Sequence, residues 1–350
     1  MKGAFPGSRV TPADPRYSTL VQGFNPRWVA DPAYVQVCGD TKQVVKAVDL
    51  AKGKRITVRS GGHCYENFVC ENQSGVLIDL SPMNGVYREG TSNLYCVEAG
   101  ATLWNVYNAL YREYGRTLPG GSCYSVGAGG HFTGGGYGLL SRLHGLTADY
   151  LAAVELVLVD EDGNAGIVKA RRGSNDKFEN NIAWAHAGGG GGNFGIATRF
   201  WFEEPPEAPE TVLLSSLAWN WSELSEESFA GLIERFSEFF AANSEPESEF
   251  APLFALLHLT QNYPAGGQIS LTHPVRGRRP DAARRFRKGC QRRNAEAGDP
   301  ARPCRPSRGR QPDRHRPLAA LALCDPAAGW CDSKPTRQVQ VRLHEQGVPG

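Results

Sequence analysis

Pro119-Gly120-Gly121-Ser122-Cys123-Tyr124-Ser125-Val126-Gly127-Ala128-Gly129-Gly130-His131-Phe132-Thr133-Gly134-Gly135-Gly136-Tyr137-Gly138 places nine glycines in twenty residues. Neither a helical nor an alternating period runs through it. The stretch is therefore expected to be irregular backbone that tracks something flat or charged. Cys123 stands in a polar, flexible context, where it is either an accessible thiol or a small buried apolar residue. Tyr137 sits among the glycines as an aromatic on bare backbone, for packing or for catalysis.

Upstream, Arg59-Ser60-Gly61-Gly62-His63 follows directly on a β-branched, alternating run, Arg55–Arg59, that reads as a strand. Consecutive glycines let backbone N–H groups approach an anion closely, as in a phosphate-binding nest. No G-x-G-x-x-G opens a helix here, so this is not a Rossmann fingerprint. His63 fits either a hydrogen-bonded loop histidine or a functional group.

Around these loops the pattern mixes elements. Strands are expected at Tyr34–Val37, Val76–Asp79, Tyr95–Glu98, Leu151–Asp160 and Ile196–Phe202, with helices over Thr41–Lys52 and Thr102–Tyr114. Asp162-Gly163 marks a hairpin returning at Gly166–Lys169. Ala183–Gly195 reads as a second glycine loop. Beyond Pro205-Pro206 the composition changes. Strands at Thr211–Ala218, Glu249–Gln261 and Gly267–Thr272 with a helix over Glu223–Ala242 predict a second α+β domain, an antiparallel sheet covered by helices. The expected division is 1–206, 207–274 and a tail over 275–350.

The chain has 350 residues, 41% apolar and 21% charged, which is globular and not disordered. No run approaches the roughly 18 apolar residues of a membrane span. The first twenty residues lack an apolar h-region, so a cytoplasmic location is expected. Nine cysteines form no C-x-x-C pair, so no metal is expected.

The formal charge of +2 conceals a split. Residues 1–272 carry 20 Lys and Arg against 29 Asp and Glu; residues 273–350 carry 18 against 7, with fourteen arginines between Arg276 and Arg316. Such a block is either a nucleic-acid arm or the product of a changed reading frame. One permitted set of synonymous codons for Lys334–Pro349, shifted by one base, reads as ordinary globular sequence, which favours a frameshifted and truncated tail. On that reading no nucleic acid is bound, the tail does not pack as a domain, and Gly267–Thr272 is an unpaired sheet edge.

The glycine stretches with His63 and Cys123, Asp149-Tyr150-Leu151, and the run from Trp184 to Ile196 together carry a resemblance. Over about residues 16–272 the chain is similar to bacterial FAD-linked oxidases of the family that includes berberine bridge enzyme, aclacinomycin oxidoreductase and the hexose and glucooligosaccharide oxidases. The resemblance implies an α+β fold: a p-cresol methylhydroxylase/vanillyl-alcohol oxidase-type FAD-binding domain plus an incomplete antiparallel-sheet substrate domain.

It also implies FAD attached twice, through His63 to the 8α-methyl and through the sulfur of Cys123 to C6. Alkylation at two positions should raise the flavin potential and favour taking a hydride. The other residues implied to hold the cofactor are Arg59, Ser60, Gly61, Gly62 and Cys64 in the first loop. In the second they are Gly121, Val126, Gly127, Gly130, His131, Gly134, Gly136, Tyr137 and Gly138. Asp149, Gly195 and Ile196 line the adenine or pyrophosphate side, or serve as a plain cap and turn. Tyr137 matches a family tyrosine near the flavin and is the catalytic candidate, a base for the hydroxyl proton.

The implied reaction oxidises an alcohol carbon of a small-molecule sugar or secondary metabolite, with O2 reduced to H2O2. Oxidative ring closure or dehydrogenation by the same flavin is the alternative, as is an inactive truncated form or a basic-tailed nucleic-acid binder.

Overall fold

The computed structural model describes residues 6–276 except 72, 210, 211, 249 and 262–266. The tail expected over 275–350 lies, beyond Arg276, outside the described residues. The chain divides into two compact units, one ending at Ala208 and one beginning at Pro209.

The first unit opens with β1 (Ser8–Val10), α1 (Tyr17–Leu20), β2 (Tyr34–Val37), α2 (Thr41–Leu50), β3 (Ile56–Arg59) and β4 (Val76–Asp79). These strands form one sheet in the order β1-β2-β4-β3, with β2, β4 and β3 parallel and β1 antiparallel at the edge. Parallel neighbours need crossovers. The crossover from β2 to β3 is α2, capped by Asp40, whose carboxylate accepts from the Gln43 N–H at 2.9 Å. Its apolar face, Val44, Ala47 and Val48, is buried. The crossover from β3 to β4 is residues 60–75, so the end of a parallel strand delivers the loop that carries His63.

A second sheet follows. β5 (Val86–Arg88), β6 (Leu94–Glu98), β7 (Leu151–Val159), β8 (Ala165–Arg171) and β9 (Ile196–Glu203) pair antiparallel in the order β5-β6-β9-β7-β8. Between β6 and β7 lie α3 (Leu103–Tyr114), α4 (Ala128–Thr133) and α5 (Ser141–His144), and between β8 and β9 lies α6 (Lys177–Ala185). α3 starts where Thr102 accepts from the Asn105 N–H and ends at Gly115 in the left-handed conformation, φ +64°. One core joins both sheets: Ile78 of β4, Val48 of α2, Leu103 and Leu110 of α3, Phe132 of α4, and Phe200 and Phe202 of β9 are all buried in it. Phe132 packs edge-on against both β9 phenylalanines, at ring separations of 5.4 and 4.9 Å.

Two elements correct the sequence reading here. The glycine stretch is not wholly irregular, because Ala128–Thr133 is helical. Phe132 supplies the buried anchor that pays the entropic cost of two helical glycines. Ala183–Ala185 belongs to α6, not to a loop; Asp176 caps that helix through the Phe178 and Glu179 N–H groups.

The second unit holds β10 (Val212–Asn220), α7 (Glu226–Ala242), β11 (Leu256–His258) and β12 (Gln268–Arg276), with sheet order β10-β12-β11, all antiparallel. Leu217 and Leu271 are buried, with Phe236 and Phe239 of α7 packed on them. The strand expected over Glu249–Gln261 shrinks to Leu256–His258, because turns close from Glu245 to Ser248 and from Phe250 to Leu253 and Pro252 offers no backbone donor. Nor is Gly267–Thr272 an edge. β12 lies between β10 and β11 and is paired on both sides.

Candidate active site

Two loops meet at the end of β3. The first begins at Arg59, whose Nε lies 3.5 Å from Asp79 Oδ2 at the end of β4 and whose Nη1 donates to the Leu20 carbonyl at 2.6 Å. Asp79 is 1% exposed. This pair, with Asp79 buried and Arg59 partly exposed, fixes the exit direction of the loop. Ser60 donates from Oγ to the Ala99 carbonyl at 2.5 Å and accepts from the Gly129 N–H at 3.3 Å, tying the loop to the start of α4. Gly61 lies directly on Gly127: a Cβ built on either would collide with the backbone nitrogen of the other. Gly62 is left-handed, φ +70°, and its carbonyl accepts from the Phe24 N–H at 2.8 Å.

The turn delivers His63 with its ring stacked on Phe24, centroids 4.0 Å apart and planes 17° from parallel. Partial burial pushes the His63 pKa down, so the ring is neutral at neutral pH and keeps a lone pair. The following loop is pinned where Asn25 Nδ2 and Trp28 Nε1 donate to the Tyr65 carbonyl at 3.2 and 2.9 Å. Cys64 is half-buried beside it.

The second loop is held from both ends. Gly121 donates its N–H to His131 Nε2 at 2.9 Å, while its carbonyl accepts from the Tyr107 hydroxyl at 2.7 Å. His131 is held neutral by burial, and burial likewise raises the Tyr107 hydroxyl above the usual tyrosine range. Further on, the Val126 and Tyr124 carbonyls accept from the Leu103 and Trp104 N–H groups, at 2.9 and 3.0 Å, at the head of α3. Between these anchors Cys123 is exposed.

His63 Nε2 lies 2.9 Å from Ser125 Oγ, and Cys123 Sγ lies 3.8 Å from that same oxygen. An imidazole and a thiol sixty residues apart in the chain thus converge on one hydroxyl.

The remaining candidates occupy distinct places. A Cβ on Gly130 would meet nothing within 4 Å, so α4 presents bare backbone there. Gly134 donates to the Gly130 carbonyl, and Gly136, φ +71°, accepts from the Thr147 N–H at 3.0 Å. Gly138 packs on the Gly120 carbonyl. Tyr137, between them, is 61% exposed. Asp149 uses its carboxylate to accept from the Leu146 N–H at 2.7 Å, capping its own turn. Gly195 packs on Val157 and Leu158 of β7, and Ile196 opens β9, so the sheet places this pair. It is instead Gly190 and Gly191 that lie against Thr133 of α4. Sequence reasoning missed Ser125, Tyr107 and Phe24. Only the proximity of Ser125 to Cys123 could have flagged any of them.

The donor set suits a large, flat, anionic cofactor. Two nucleophilic side chains share one hydroxyl, open glycine backbone faces outward at Gly130, and the fully buried Thr147 Oγ1 has no hydrogen-bond partner among the described residues. Residues 32–165 match the family described as FAD binding domain. The chain is 42% identical over 283 residues to aclacinomycin-N/aclacinomycin-A oxidase of Streptomyces galilaeus, an alignment covering 77% of this chain and 51% of that one. Around an FAD-binding domain, the chain is similar to FAD-linked oxidases.

Hexose oxidase of Chondrus crispus is 37% identical over 230 residues, 64% of this chain and 42% of that protein. Among solved structures, aclacinomycin oxidoreductase superposes with a TM-score of 0.75 at 40% identity, covering 81% of this chain and 59% of that one. The glucooligosaccharide oxidase of Acremonium strictum, described as carrying 6-S-cysteinyl, 8α-N1-histidyl FAD, superposes with a TM-score of 0.64 at 25% identity, covering 83% and 56%. The chain spans about half the length of the curated relatives it matches. Its fold is the α+β FAD-binding type of these oxidases. No described helix is long and apolar enough to cross a membrane.

Proposed function

We propose that this chain is an FAD-dependent oxidase that removes a hydride from an alcohol carbon of a sugar or glycosylated secondary metabolite, with dioxygen reduced to hydrogen peroxide. The observation that carries the reading is the convergence of His63 and Cys123 on Ser125. It supports attachment of one FAD through both side chains. The similarity to a glucooligosaccharide oxidase with cysteinyl and histidyl FAD supports it further.

Bound FAD supplies the hydride acceptor and passes the electron pair to dioxygen. The rest falls to this chain. The Gly61–Gly127 contact sets the spacing of the two attachment residues. Bare backbone at Gly130 lets a cofactor approach closely. Tyr137, exposed beside the glycine loop, is the residue assigned here to take the substrate hydroxyl proton. Phe24, Tyr65 and Tyr124 are exposed next to His63 and Cys123 and offer aromatic faces to a sugar or polyketide ring.

The test is peroxide release by the FAD-loaded chain on hexoses, oligosaccharides and glycosylated polyketides. Substrate-dependent peroxide with loss on Tyr137→Phe is expected. Flavin-loaded chain that oxidises none of these classes contradicts the proposal.

A further inference from the structure

Ser125 has one hydroxyl proton and two neighbours that compete for it. A hydroxyl accepts and donates at once, so hydrogen bonds to two partners run in one direction or the other. If Ser125 donates to His63 Nε2, the ring proton resides on Nδ1, which then cannot attack. In the opposite direction, Nε2–H donates to Oγ, and the O–H donates to Cys123 Sγ. That leaves an open lone pair on Nδ1 and a hydrogen bond donated to the Cys123 sulfur.

We propose that Ser125 is the positioning residue for flavin attachment, running one hydrogen-bond chain from His63 Nε2 through its own hydroxyl to Cys123 Sγ, which keeps the lone pair on Nδ1, the atom that carries the flavin in the N1-histidyl Acremonium strictum enzyme. The inference rests on the double attachment proposed above.

The surrounding geometry supports a fixed Ser125. A Cβ on Gly61 would approach the Ser125 carbonyl to 2.9 Å, so the backbone at Ser125 is packed against the first loop. Phe24 holds the His63 ring plane from the other side, leaving rotation about the ring limited to what the Ser125 contact permits. A second hydrogen bond is what sets the tautomer of a working histidine.

The step balances. Attachment breaks one C–H bond of the 8α-methyl and forms one Nδ1–C bond. One proton leaves the carbon and one leaves Nε2, whose neighbour is Ser125 Oγ. The two electrons pass to dioxygen, which with two protons becomes hydrogen peroxide.

The experiment compares the full chain with Ser125→Ala and Ser125→Thr, each produced with FAD, by mass spectrometry of the His63 and Cys123 peptides. The nitrogen-15 spectrum of the flavin-free full chain is recorded alongside. Ser125→Ala is expected to lower the flavin-bearing fraction of the His63 peptide about five- to tenfold, the weight of one hydrogen bond. Ser125→Thr, which keeps the hydroxyl, restores it. The nitrogen-15 spectrum is expected to show His63 protonated on Nε2. Parent-level attachment in Ser125→Ala overturns this inference alone, as does an Nδ1–H tautomer. An unmodified parent chain overturns the double attachment and this inference with it. Should Ser125→Ala not fold, the tautomer and the threonine variant decide.

Discussion

Gly61 and Gly127 lie backbone on backbone, so close that neither position has room for a side chain. Sixty-six residues separate them, yet this contact determines how far His63 stands from Cys123. Gly61→Ala is therefore expected to force the loops apart, at about 1–3 kcal/mol of stability, and to lower flavin retention. Thermal melting with flavin absorbance checks both; an alanine variant with parental melting and flavin content contradicts the contact.

Arg59 and Asp79 anchor the same loop from below. Arg59→Ala leaves a carboxylate that is 1% exposed without its cation. Breaking one side of such a pair costs about 3–5 kcal/mol. Arg59→Lys should recover only part of this, since the bond to the Leu20 carbonyl uses a second guanidinium nitrogen. Denaturant titration reads the order parent, Lys, Ala; equal stability of all three would mean the pair holds nothing.

Tyr107 reaches the loop that carries Cys123. Tyr107→Phe removes the donor to the Gly121 carbonyl and is expected to cost about 1–3 kcal/mol. The fraction of Cys123 joined to flavin should fall while that of His63 holds. Equal loss at both peptides would indicate general loosening instead.

His131 gives the fold a pH dependence with a definite sign. Burial lowers its pKa, so the unfolded chain binds its proton more readily, and stability falls as pH drops below the unfolded value of about 6.5. The loss is complete once pH passes the lower folded value. Protonation also ends acceptance from the Gly121 N–H. His63 and His186, lowered by burial too, act in the same direction. Melting temperature is expected to drop between pH 7.5 and 5.5, and by less in His131→Gln, whose side-chain oxygen accepts at any pH. An identical drop in both would remove His131 from the explanation.

Much of this was legible in the residues. RITVR ends in Arg59, and the glycines after it marked the strand, its loop and the candidate residue His63 together. The pairing of His63 with Cys123 came from the family resemblance. That they meet at Ser125 did not, because a serine in a polar stretch carries no local signal of a partner more than sixty residues away. The helix Ala128–Thr133 was hidden for a related reason. Two of its residues are glycines, and what stabilises it is Phe132 packing on Phe200 and Phe202, a tertiary contact. The edge expected at Gly267–Thr272 rests on a truncated sheet, whereas β10 and β11, both earlier in the chain, flank β12, a placement that strand composition does not reveal.

The central claim is that one FAD is held by both loops. A protease digest of the acid-precipitated, FAD-loaded full chain, analysed by mass spectrometry, tests it most directly. A single species is expected, in which the His63 and Cys123 peptides are joined through one flavin. Recovery of both peptides unmodified, or of flavin on only one of them, would contradict it.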